Sequence, residues 1–130
     1  MSFNKSLIFF YISFLMLIIA RHIYVGASTI AFAILIIAFW LNNSERYSKI
    51  IMVSGMTMNF LAVAANHGRM PVIGNMVKDY SHSNLSPLSR LPSLCDIFYL
   101  YGFGLFSIGD IFICSGLIIY CFALFSHWRK

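Results

Sequence analysis

The stretch from Leu7 to Leu41 is apolar throughout apart from isolated hydroxyls and the pair Arg21-His22, and no other feature limits the possible folds as strongly. Taken as one straight helix it would run roughly 52 Å, well past the roughly 30 Å hydrocarbon layer of a bilayer. It must therefore double back. The reversal is expected near Arg21, His22 and Gly26, where polar side chains and a glycine let the backbone turn, leaving two short spans. A secretory leader is the competing account, since Lys5 precedes an apolar run to Ala20. No small-residue cleavage pattern follows it, and a second apolar run begins at once.

Composition points the same way. Of the 130 residues 60% are hydrophobic and 10% charged, and the mean hydropathy is +0.82. A water-soluble domain carries roughly a quarter of its residues charged. Disorder and a soluble enzyme core are thus excluded, and the expected solvent is lipid. The net charge of +5 comes from scattered cations, with only Arg129-Lys130 adjacent, so no nucleic-acid stripe exists and no nucleic-acid partner is expected.

Further along, Asn42 to Lys49 reads as a polar loop, and Ile50 begins a third span that stops at Asn66-His67-Gly68-Arg69-Met70-Pro71. A long segment holding all three prolines follows. Ser107 then stands as an N-cap with Asp110 three residues on, opening a last span to about Ser126. The expected fold is an all-α integral membrane protein with four transmembrane helices, at about 5–20, 24–41, 50–66 and 107–126. The first two form a short hairpin, and a long outward loop, about 67–106, lies between the third and fourth. Lys5, Arg46, Lys49, Arg129 and Lys130 would share the side of both termini, against Arg21, Arg69, Lys78 and Arg90 opposite. That excess of cations places the termini in the cytoplasm of a bacterial cell membrane.

Polar residues inside spans are costly and so are candidates for function. Gly55, Asn59, Ala62 and Asn66 are spaced four, three and four apart, which lays them on one helical stripe. Such a stripe is first of all a packing seam with an amide bonded across it; a polar cleft beneath the loop is the sharper reading. Asp110 is explained by the capping box alone. Asp96 follows Ser93 with the same spacing and is expected to cap a short turn through Ile97 to Tyr101. If the segment between them dips and returns, the two carboxylates meet and their pKa values split, as a general acid and base require. The candidate catalytic residues are therefore Asp96 and Asp110, and the candidate binding residues Asn59, Asn66, His67, Arg69 and Arg90.

The four histidines fall at no ligand spacing, and no phosphate-loop or hydrolase motif occurs, so neither metal nor cofactor is implied. Cys95, Cys114 and Cys121 contain no C-x-x-C pair and read as small apolar fillers.

Two stretches carry a resemblance. Asn66-His67-Gly68-Arg69-Met70-Pro71-Val72, followed by Arg90-Leu91-Pro92, Cys95-Asp96-Ile97 and Phe106-Ser107-Ile108-Gly109-Asp110, resembles a family of small bacterial integral membrane proteins known only as a domain of unknown function. That family more often has glycine where His67 and Cys95 stand. A looser similarity is to lipoprotein signal peptidases, four-span enzymes with two catalytic aspartates, through Gly74-Asn75, Asp96-Ile97-Phe98 and Phe106-Ser107-Ile108-Gly109-Asp110. The aspartate spacing here is shorter than theirs, and their aspartate-arginine pair is missing.

These observations support two readings. In the first, the outward loop binds a membrane protein partner, a second copy of the chain or a small ligand, as an accessory to transport or export. Asp96→Asn and Asp110→Asn, which keep size and capping, would then be tolerated. In the second, the chain is an intramembrane aspartyl hydrolase acting on a membrane-anchored substrate through Asp96 and Asp110, with Asn66 and Arg69 orienting it.

Overall fold

The computed structural model describes residues 12, 15, 27–40, 46–74, 80–102 and 104–128. Ile12 and Leu15 are helical; the rest of the expected first span, the turn at Arg21 to Gly26 and the tail Arg129-Lys130 lie outside the described residues. The helices bounded within the described residues are α1 (Ala27–Trp40), α2 (Arg46–Ala65) and α3 (Ile108–Trp128). Between α2 and α3 stand two small sheets, built from β1 (Met70–Val72) with β2 (His82–Asn84), and β3 (Phe98–Leu100) with β4 (Gly104–Phe106).

The expected four-helix, all-α membrane architecture is therefore corrected. Among the described residues one helix, α2, is long and apolar enough to cross a membrane, and Ile108–Ala123 is a shorter apolar stretch. The presumed irregular loop of 67–106 folds as a β-bearing cap instead. Its strands have three residues each, too few for the alternation by which a strand announces itself in sequence.

The helix pair α2–α3 is antiparallel and very close. Ser48, Met52, Gly55, Asn59 and Ala62 form its buried stripe on α2, at the alternating spacing of three and four that keeps one helix face on its neighbour. The Ser48 hydroxyl donates to the Gly116 carbonyl at 2.9 Å. A Cβ on Gly55 would fall inside the contact radius of the Gly109 carbonyl oxygen and 2.9 Å from the Ile113 backbone nitrogen. Backbones meet here because glycines remove the side chains between them. Leu35 of α1 packs with Met52 and Met56 of α2.

α2 ends where the chain turns left-handed at His67 (φ 57) and Gly68 (φ 82), with the Gly68 N–H donating to the Val63 carbonyl at 2.9 Å. That exit satisfies terminal carbonyls which the helix cannot. It also aims β1 back over the helix end, where Met70 joins Ala62 and Val63 in a second cluster with Leu94 against it. β1 pairs parallel with β2, Met70 opposite His82, and on its other edge Val72 bridges Asp96. Pro71 is tolerated between two partners. Its carbonyl takes the Asp96 N–H at 3.1 Å, so pairing on that edge begins with the carbonyl and its missing N–H leaves no gap.

Candidate functional site

At the end of the helix pair nearest the cap, Asn59 and Ser107 are almost wholly buried and Asp110 half-buried. The Ser107 backbone N–H donates to Asp110 Oδ2 at 2.9 Å, and the Asp110 N–H donates back to Ser107 Oγ at 3.0 Å. This is the reciprocal box that starts α3. Asn59 of α2 then joins it, its Nδ2 donating to Asp110 Oδ1 at 2.8 Å. The single Ser107 hydroxyl proton has two acceptors, Asn59 Oδ1 and Asp110 Oδ2, each at 2.8 Å.

The seam reading of Asn59 thus describes its surroundings, and both oxygens of Asp110 are occupied. Asp110→Asn does not keep this arrangement. The amide NH2 would replace one of two obligatory acceptors and face either the Asn59 amide or the Ser107 N–H.

Asn66 does a different task. Its Nδ2 donates to the Ala62 carbonyl at 2.7 Å and to the Arg90 carbonyl at 2.8 Å, while its Oδ1 accepts the Arg90 N–H at 2.8 Å. It holds the backbone of residue 90 as a strand neighbour would. Arg90 accordingly contributes its main chain here, its residue remaining exposed.

Asp96 caps no helix. The expected turn after it is strand β3, and Asp96 is held through its backbone by Pro71 and Ile73. It is 8% exposed, and its Oδ1 has no hydrogen-bond partner among the described residues. Oδ2 lies 3.9 Å from His82 Nε2. Burial pushes the Asp96 carboxyl up to about 6, with the negative charge of Asp110 adding to the rise and His82 opposing it. The segment between the two aspartates does return on itself, since Phe98 pairs with Phe106 in the β3–β4 hairpin. Burial, with Asp96 beside it, also raises the Cys95 thiol.

His67 and Arg69 line an open cleft of about 490 Å³ together with Asn66, Ser83, Ser86 and Ser89. No acidic side chain lines it. The serines and His82 had no individual signal in the sequence, because the parallel β1–β2 pairing alone brings residues 82–84 beside the end of α2. No group of three or more His, Cys, Asp or Glu able to hold a metal occurs among the described residues.

The fold and its polar sites define a helical protein bearing a small β-cap over a close helix pair. A family model, that of the Family of unknown function (DUF5317), matches residues 2–122, and the chain belongs to that family. No curated protein and no solved structure matches it, so no lipoprotein signal peptidase stands among its similarities.

Proposed function

We propose that this protein is held in a lipid bilayer and that its cap binds an anionic, phosphate-bearing group in the cleft at Arg69. The lining of that cleft carries the reading. The guanidinium of Arg69, the imidazole of His67, the Asn84 amide and several hydroxyls line it with no carboxylate among them, a donor-rich set suited to several oxyanion oxygens at once. The bilayer placement rests on the outward faces of α1 and α3. Ile37, Trp40, Leu117, Ile118 and Phe122 are exposed there, an apolar surface unfavourable in water and favourable in hydrocarbon.

The accessory role fits this binding better than hydrolysis does. Both oxygens of Asp110 accept hydrogen bonds from Asn59 and Ser107, so that carboxylate is engaged in positioning the start of α3 and in tying it to α2. The bound group belongs either to a lipid headgroup or to a free phosphate compound.

The test titrates the detergent-solubilised full chain with inorganic phosphate, and separately measures retention of phosphatidylglycerol over phosphatidylcholine in nanodiscs. Saturable binding in one arm, weakened about tenfold or more by Arg69→Gln as expected for one charge-assisted hydrogen bond, supports the reading and identifies the source. Equal behaviour of wild type and Arg69→Gln in both arms overturns it.

A further inference from the structure

The hairpin β3–β4 violates the rule by which a surface ribbon is made. One face of such a ribbon packs on the protein and the other meets water, so apolar and polar residues alternate. Here consecutive residues Phe98, Tyr99, Leu100 and Tyr101 are 45%, 56%, 56% and 89% exposed. Both faces of β3 are therefore apolar and uncovered. No charged residue occurs from Ile97 to Gly109. A two-stranded ribbon is marginal by itself in water, and the Tyr99 hydroxyl is the one polar side-chain group on β3.

The hairpin also has a fixed place. Leu100 pairs with Gly104, and Gly102 (φ 84) and Gly104 (φ 101) take left-handed conformations that close the turn. β4 runs through Ser107 directly into α3, whose exposed side chains continue the apolar surface at Ile111, Phe112 and Ile118.

We infer that the β3–β4 hairpin is a bilayer anchor that lies in the headgroup layer, with Tyr99 and Tyr101 at the boundary between lipid carbonyls and acyl chains. This rests on the bilayer placement proposed above. Lipid is favoured over a protein partner because the uncovered surface is apolar on both faces of β3 and continuous with α3, whereas a docking protein covers one face. Tyrosine suits that depth because its ring is apolar and its hydroxyl needs an acceptor. The hairpin then fixes how deep the cap sits and keeps the Arg69 cleft at headgroup level.

Depth-dependent quenching tests this. In a Trp40→Phe, Trp128→Phe background of the full chain in phosphatidylcholine liposomes, single tryptophans are introduced as Tyr101→Trp and Ile118→Trp. Ile118 is 57% exposed and about 15 Å along α3, near the expected bilayer centre. Lipids brominated near the glycerol should quench the tryptophan of Tyr101→Trp more than lipids brominated deep in the chain, and the order should reverse for Ile118→Trp. If Ile118→Trp is quenched by lipid and Tyr101→Trp is not, the hairpin is covered by protein or open to water, and the anchor is overturned while the bilayer placement stands. Equal or deeper quenching of Tyr101→Trp relative to Ile118→Trp also overturns it. If neither responds to brominated lipid, the bilayer placement itself is wrong.

Discussion

At the residue scale the two carboxylates near the cap differ in what surrounds them, and the same isosteric change should move stability in opposite directions. Asp110 meets only donors, from Asn59 and Ser107. Asp110→Asn should therefore cost about 1–3 kcal/mol, the usual penalty for a polar group left without its partner. Asp96 has one oxygen unpartnered and a carboxyl pushed up to about 6. The fold thus favours its neutral form. An unfolded aspartate gives up its proton near pH 4, so between about pH 4 and 6 the folded chain binds more protons than the unfolded one. Stability falls as pH rises through that window, and the full penalty is present above it. Asp96→Asn should accordingly stabilise the protein by about 1–2 kcal/mol at pH 7.5 and by little at pH 4. Thermal unfolding of both variants in detergent at the two pH values checks this. A loss of stability from Asp96→Asn that is equal at both pH values would show that the charge of Asp96 is compensated in the fold.

At the scale of elements, what the sequence revealed and what it hid divide along period. The seam on α2 was legible because Gly55, Asn59 and Ala62 repeat at helical spacing, and the start of α3 because a capping box has a fixed offset. The cap was hidden because its strands are three residues long and β1 is buried throughout, so its side chains carry no alternation. His82 and Asp96 come together only through pairings with Met70 and Val72, and parallel pairing leaves no local sign. The glycines of the seam supply the test at this scale. Gly55→Ala places a methyl group against the Gly109 carbonyl, where backbone cannot yield as a flexible side chain does. The helices must separate, and the Asn59–Asp110 bond stretches with them. We expect a loss of about 2–3 kcal/mol, the upper range for overpacking, although alanine is the better helix former. The control Ala64→Gly, on an exposed position near the end of the same helix, should cost only about 1 kcal/mol. Unfolding midpoints for the two variants decide the matter; a gain of about 1 kcal/mol from Gly55→Ala, opposite in sign to the Ala64→Gly loss, would mean that helix propensity, and not close approach, governs Gly55.

At the scale of the whole molecule, three thiols report on how the chain is solvated. Cys95 is buried in the cap, with its Sγ 3.4 Å from the Leu91 carbonyl. Cys114 and Cys121 stand exposed on α3, on the same outward surface as Leu117 and Ile118. If water bathed that surface, both would react with a maleimide at the rate of free thiols. In hydrocarbon they would not, because the attacking species is the thiolate and a bilayer interior offers it no hydration. Cys95 should resist under either condition, since protein covers it and its proton is held more tightly than usual. In liposomes a sulfonated maleimide should therefore label none of the three until detergent denaturation exposes them all. Single-cysteine variants separate the contributions. Rapid labelling of Cys114 and Cys121 in liposomes, with Cys95 still protected, would mean that the folded chain turns this apolar face to water or to a wet interface, and the exposed apolar surface would then need a protein partner, not lipid, to account for it. Protection of all three leaves hydrocarbon as the simplest medium for α3 and puts Asn59, Ser107 and Asp110 at its edge, where a buried polar node costs least because it is already closed upon itself.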